Sequence, residues 1–480
     1  MAFFDRPISE VVKCIQNGED SCHNVAARAV TLIEEQDKEF NSFISVNKEA
    51  ALKAAADLDK LQASLKKEMP LYGVPVAVKD NICVSEGATT CASKMLEKFE
   101  PPYDAAVIEM LKKAGAVIVG KTNLDEFAMG SSTERSHFGP TRNPANPNKV
   151  SGGSSGGSAA ALRAGFVPAA LGSDTGGSIR QPSAHCGVAG LKPTYGRVSR
   201  YGLVALASSL DHVGPMANDV RDIGLLLSVI SQPDKRDETC ANISFVDNAD
   251  YYSGDVKGLR IGIAPEYFES GLSSQVRDNI ETLIGRLKEL GARVIDISLP
   301  NVKHASAAYY VICAAEASSN LARYDGVKFG FRAQGVKSLG DMYEETRGQG
   351  FGYEVKARIL FGTHILSSGN YDTYYLKACR IRTLVNQDFK NAFNSCDLII
   401  SPIAPAAAFD IGEKLDKPVE AYLTDTCKRF TVSANLAGIP AISVPYGTCD
   451  GLPLGIQFMA PQWREETLLR VGYAVQVLSS

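Results

Sequence analysis

Apolar and polar positions follow two rhythms along this chain. The first 68 residues carry a helical one: NKEAALKAAADLDKLQASLKK is rich in Ala, Leu and Lys, all strong helix formers. From Leu71 the pattern changes to short apolar runs separated by amphipathic segments. YGVPVAVKD, AVIVG, FVPAALGSD, LRIGIAP, ARVIDISLP, DLIISPI and AISVPYG read as strands. DAAVIEMLKKAG reads as a helix closed by Gly115. SSQVRDNIETLIGRLKEL puts Val276, Ile280, Leu283, Leu287 and Leu290 on one helical face. Strands alternating with helices predict an α/β fold with a mostly parallel sheet.

No repeat or low-complexity linker divides the chain. PDKRDETCANISFVDNADYYSGDVKG is polar enough for a surface excursion, yet strand patterns continue on both sides of it. Residues 1–480 are therefore expected to form one domain. It comprises a helical segment (1–68), a core (69–220) and a remainder (221–480) that completes the pocket.

Composition narrows the function classes. The 480 residues are 45% hydrophobic and 22% charged, enough for a large core, and the net charge of −4 supplies no cationic excess for a phosphate backbone. The 11 cysteines are scattered with no Cys-x-x-Cys pair, which fits a reducing compartment and offers no zinc site. MAFFDRPISE lacks the basic-then-apolar order of a signal peptide, and no run of 18 apolar residues occurs. A cytoplasmic protein without membrane contact is the expectation.

Two motifs mislead. GAVIVGKT, Gly115 to Thr122, spells G-x-x-x-x-G-K-[ST], but a helix precedes Gly115 and the intervening residues are themselves a strand. A phosphate loop needs the strand first and an irregular loop after it. GGSSGG holds overlapping G-x-S-x-G strings centred on Ser154 and Ser155, as in a nucleophile elbow. That arrangement needs a later acid and histidine. The histidines that follow, His185, His212, His304 and His364, stand in no special setting.

Another base is available. Lys79 ends the strand VPVAVKD, which is apolar on both faces and so fits the interior of a sheet. The carboxyl ends of such strands border the ligand crevice of open α/β sheets. Desolvation there disfavours the charged amine, and a neutral amine is a base. The alternative is a strand-end lysine reaching solvent. Downstream, the glycines of GSDTGGS can turn the successive amides of Thr175, Gly176, Gly177 and Ser178 toward a developing oxyanion. The alternative is a plain turn with Ser178 as a helix cap.

The three segments VKDNI, SGGSSGGSAAALRAG and GSDTGGSIRQPSAHCGVAGLKPTYGRVS occur in that order, and together they resemble the amidase signature family from about Tyr72 to Pro215. The resemblance implies the family's fold, a large mixed, mostly parallel twisted sheet covered by helices on both faces. It also implies a Ser-cisSer-Lys triad, with Lys79 as base, Ser154 as the middle serine whose peptide is cis, and Ser178 as nucleophile. Thr175, Gly176, Gly177 and Ser178 would line the oxyanion hole, supported by Ser155, Asp174 and Arg180.

The stretches KTNLDEFAMGSSTERSHFGPTRNP, EASSNLARYDGVKFG, EVKARILFGTHILSSGNYDTYYLKA and ANLAGIPAISVP carry the resemblance further, to the glutaminase subunits of tRNA-dependent amidotransferases. In that group a free glutamine would meet Arg358 at its α-carboxylate and Asp425 at its α-amine. Tyr309 and the loop Met129, Gly130 and Ser131 would line the pocket. DTCKRFTVSANLAG departs from the group by inserting residues, among them Lys428 and Arg429, after Asp425. The implied partners are B and C subunits in a heterotrimer. ATP and Mg2+ would be used at the B subunit, where misacylated tRNA is amidated; no cofactor or metal is expected on this chain. The competing expectation is a stand-alone hydrolase of small amides.

Overall fold

The computed structural model describes residues 3–269, 271–415 and 426–479. Eleven strands form one sheet in the order β1-β3-β2-β6-β8-β7-β12-β13-β11-β9-β10. In chain order these are β1 (Phe43–Val46), β2 (Pro75–Lys79), β3 (Val117–Thr122), β6 (Ala169–Asp174), β7 (Ala189–Lys192), β8 (His212–Ala217), β9 (Arg260–Ile263), β10 (Arg293–Asp296), β11 (Leu398–Pro402), β12 (Ala441–Cys449) and β13 (Leu452–Met459). A separate hairpin of β4 (Arg142–Asn143) and β5 (Asn146–Val150) leads into Ser151.

All seven strands expected from the pattern form. Four others in the sheet were not expected, β1 inside the N-terminal helical segment and β7, β8 and β13, and neither was the hairpin of β4 and β5. The sheet is mixed, but it is not mostly parallel. Four pairings are parallel, in the flanks β3-β2-β6 and β11-β9-β10, and the other six are antiparallel. The unexpected strands explain this correction, because β1, β7, β8 and β13 make only antiparallel pairs.

Alternate residues enter two different cores. Leu398 and Ile400 of β11, Ile442 of β12 and Phe458 of β13 pack into one; Ile399, Ala441 and Met459 pack into the other. The period of two along a strand means that both faces of the sheet are covered. Helices Ile8–Gln16, Cys22–Phe40, Val220–Ile230, Ser274–Glu289 and Glu465–Ser479 contribute to the first core. Helices Ala305–Asn320, Lys377–Ala392 and Thr426–Ala437 contribute to the second. Helix Ser274–Glu289 buries Val276, Ile280, Leu283 and Leu287 as expected, but Leu290 caps its end and is exposed. Among the described residues no helix is long and apolar enough to cross a membrane.

Strand β2 is wholly buried and pairs in parallel on both sides, with β3 and β6. Val76, Ala77 and Val78 all join the first core, and Lys79 falls at the strand's carboxyl end. Strand β6 runs alongside and ends at Asp174. The two glycine-rich clusters therefore meet the lysine at the carboxyl ends of two adjacent interior strands.

Candidate active site

Lys79 has no exposed surface. Its Nζ lies 2.8 Å from Ser154 Oγ and 2.9 Å from Ser155 Oγ, and donates to the Ser173 carbonyl at 3.3 Å. Burial lowers its pKa from 10.5 to about 7, against the pull of the carboxylates of Asp125, Asp174 and Asp211. A lysine reaching solvent is thereby excluded.

Ser154 sits in a turn ahead of helix Gly156–Arg163, and the Gly153–Ser154 peptide is cis. Side chains from elsewhere hold this turn. Gln181 Oε1 accepts the Gly153 amide at 2.8 Å, while Thr133 Oγ1 donates to the Gly152 carbonyl and accepts the Gly156 amide. Ser155 ties the two clusters together. Its hydroxyl donates to the Ser173 carbonyl at 3.1 Å, and its amide donates to the Ser178 carbonyl at 3.0 Å.

Asp174 and Arg180 are both completely buried and form more than a local ion pair. Arg180 Nε and Nη2 each lie 3.0 Å from an Asp174 oxygen. Its remaining contacts reach Thr431 O, Gln457 Oε1 and Asn435 Oδ1, so it also binds the helix Thr426–Ala437 and β13 to the loop. Burial alone would raise the Asp174 pKa; the Arg180 guanidinium and the hydrogen bonds outweigh it and hold the carboxyl well below its usual range.

Asp174 also holds the loop from within. Its Oδ1 accepts the Gly177 amide at 2.8 Å and its Oδ2 the Ile179 amide at 3.1 Å. The Gly177 amide is therefore bonded within the loop itself. The amides of Thr175, Gly176 and Ser178 donate to no described residue. Gly177 has φ of +116°, a conformation that favours glycine, and Thr431 fills the space a side chain would need. At Gly176 a Cβ would stand 2.6 Å from Tyr309 Cζ. That close approach places the Tyr309 ring directly against the nest.

The other expected pocket residues divide. Met129 is buried, and Gly130 packs on the Asp125 carboxylate, which Gly153 also abuts, so the 129–131 loop adjoins the Ser154 turn. Ser131 lies in that loop. Arg358, on helix Tyr353–Leu366, is only 4% exposed and pairs with Glu354; Nη1 lies 3.8 Å from Cys313 Sγ on the helix that carries Tyr309. It is not a surface arginine. Asp425 lies outside the described residues.

The misleading motifs are structural. Lys121 of GAVIVGKT is buried within β3, 2.8 Å from Asp80. His212 contacts Lys192 and backbone carbonyls, and His185 contacts Gln181.

The geometry agrees with sequence comparison. The amidase family model matches residues 25–469. The chain belongs to the amidase family. Within it, the chain is 49% identical to the A subunit of glutamyl-tRNA(Gln) amidotransferase from Geobacillus thermodenitrificans (strain NG80-2), covering 99% of this chain and 98% of the relative. It is 50% identical to the protein of the same name from Persephonella marina (strain DSM 14350 / EX-H1), over 98% and 97%. The crystal structure of the corresponding A subunit from Thermotoga maritima superposes with a TM-score of 0.82 at 41% identity, over 99% of this chain and 95% of that one. Peptide amidase from Stenotrophomonas maltophilia gives the same TM-score at 29% identity, over 98% and 96%.

Within this amidase site, sequence reading missed Asp125, Gln181, Asp211, Thr431 and Asn435. Asp211 accepts the Thr175 hydroxyl at 2.7 Å, and burial raises its pKa to about 6. Thr431 Oγ1 donates to the Gly176 carbonyl, and Asn435 Nδ2 to Asp174. Only Gln181 had a local signal, since it follows Arg180 in the loop motif.

Proposed function

We propose that this chain is the glutaminase component of a tRNA-dependent amidotransferase, working by Ser-cisSer-Lys chemistry. One observation carries the catalytic assignment: a fully buried lysine, its pKa lowered to about 7, at 2.8 Å from Ser154 Oγ. The relatives' identity over nearly the whole chain supports the choice of reaction.

Neutral Lys79 takes a proton from Ser154, which takes one from Ser178. Ser178 Oγ bonds to the side-chain amide carbon of glutamine, and the carbonyl electrons move onto oxygen. The free amides among Thr175, Gly176 and Ser178 receive that oxyanion. As the C–N bond breaks, the proton returns through Ser154 to the leaving nitrogen and ammonia departs. Water then attacks the glutamyl ester, giving glutamate and restoring Ser178.

Substrate selection follows from charge. Arg358 receives the α-carboxylate, a role suited to a planar guanidinium fork, and Asp425 the α-amine. Tyr309 and the Met129, Gly130, Ser131 loop enclose the rest. The B subunit binds misacylated tRNA, activates its carboxylate with ATP and Mg2+, and receives the ammonia; the C subunit completes the heterotrimer. The product is Gln-tRNA(Gln), Asn-tRNA(Asn), or both.

The test is ammonia release from glutamine by the chain alone and with its B and C subunits and charged tRNA. Weak activity that partners raise is expected. Brisk turnover of other amides with glutamine inert would overturn the reading in favour of a stand-alone amidase. Ser178→Ala should abolish acyl-enzyme formation; retained activity there, with Ser155→Ala inactive, would move the nucleophile to the first cluster.

A further inference from the structure

We infer that Glu354 is a positioning residue for Arg358, and that the pair, rather than Arg358 alone, sets affinity for the substrate's α-carboxylate. The inference rests on the proposed role of Arg358. Both side chains are buried, at 7% and 4% exposure, one turn apart on helix Tyr353–Leu366. Arg358 Nε and Nη2 both lie 3.0 Å from Glu354 Oε1. One edge of the guanidinium is thus fixed on Glu354, which turns Nη1 away, toward Cys313 Sγ at 3.8 Å, with the Tyr310 ring 5.6 Å from the guanidinium carbon.

Glu354 is itself held from two sides. It occupies the first turn of its helix, where a carboxylate complements the helix dipole. Its second oxygen, Oε2, lies 3.8 Å from Arg135 Nη1. The Arg135 backbone is in turn bonded to the Asp125 carboxylate and to the Glu126 amide, in the segment that leads to Met129. Arg135, Glu354 and Arg358 therefore form a chain of alternating charge. An unpaired guanidinium in a buried wall would be costly and poorly oriented; the shared glutamate supplies both a countercharge and a fixed plane.

Charge and geometry predict opposite outcomes for Glu354→Gln. By charge alone the substitution makes the trio more cationic and lowers KM for glutamine. By positioning it frees the guanidinium and raises KM roughly tenfold, the size of one charge-assisted hydrogen bond, with kcat changed less than about twofold. Steady-state glutaminase kinetics in the assembled heterotrimer decide between them. Arg135→Gln should raise KM in the same direction by a smaller factor, and it provides the test if Glu354→Gln fails to fold. 4-Aminobutanamide, which keeps the amine and the amide but lacks the α-carboxylate, should be turned over equally by wild type and variants. Unchanged or lowered glutamine KM in the variants overturns the inference, as does a fall in kcat on both substrates. Arg358→Lys separates this from the parent reading. If it leaves glutamine KM unchanged, Arg358 does not bind the carboxylate; if it raises KM while Glu354→Gln does not, only the positioning role fails.

Discussion

Lys79 Nζ lies 2.8 Å from Ser154 Oγ, and neither residue has exposed surface. Burial stabilises the neutral amine, so the base is ready at neutral pH without a histidine. Below about pH 7 the amine is protonated and cannot accept a proton; above it the neutral form dominates. The pH profile of kcat/KM for glutamine should therefore rise with pH along an acid limb near 7. Asp125→Asn removes the strongest of the carboxylate charges that pull the lysine's pKa up, so the limb should move to lower pH. The same shift bears on stability. Between about pH 7 and 10.5 the unfolded chain holds a proton that the folded chain has released, so this lysine's contribution to stability rises with pH in that window.

Ser155 bridges Lys79 to the Ser173 carbonyl and to the backbone of Ser178. Ser155→Ala removes the hydroxyl but keeps the amide bond to Ser178. Glutaminase kcat should fall about 10- to 100-fold, the worth of one hydrogen bond to a charged group. Acyl-enzyme should still form, as intact-protein mass spectrometry would show.

Gly177 and Gly176 should fail in different ways when changed to Ala. At Gly177 the positive φ and the Thr431 side chain both oppose a Cβ, so stability should drop by about 1–3 kcal/mol. At Gly176 the new methyl meets the Tyr309 ring, so the fold should survive while glutamine hydrolysis is lost. Thermal unfolding together with ammonia release distinguishes the two.

The Asp174–Arg180 pair is a stability element as much as a catalytic support. Arg180→Leu leaves a buried carboxylate without its cation and releases Asn435, Gln457 and Thr431. A loss of about 3–5 kcal/mol is expected. The midpoint of urea unfolding checks it.

How much could be read in advance differed between the strands and the site. Strands such as β2 and β11 were legible because continuous apolar runs report burial on both faces. Strand β13 was not, because LPLGIQFM interrupts its apolar residues with Pro453, Gly455 and Gln457. Gln457 is buried there because Arg180 and Ser401 supply its partners, and neither is near it in sequence. Strand β8, HVGPMA, is hidden for a similar reason.

The triad could be named from the linear chain only through its family resemblance: a lysine at the end of an apolar strand and two Gly/Ser clusters leave several serines and a solvent-reaching lysine open, and it is the order of the three segments that matches the family. Those features are local, since strand burial and glycine's backbone freedom depend on neighbouring residues. Which groups are available was settled by packing. It committed the Gly177 amide to Asp174, drew Arg358 into the interior with Glu354, and brought Thr431 and Asn435 from more than 250 residues away onto the nest. Those outcomes depend on which buried polar groups find partners, and partners are fixed only when distant strands and helices pack together.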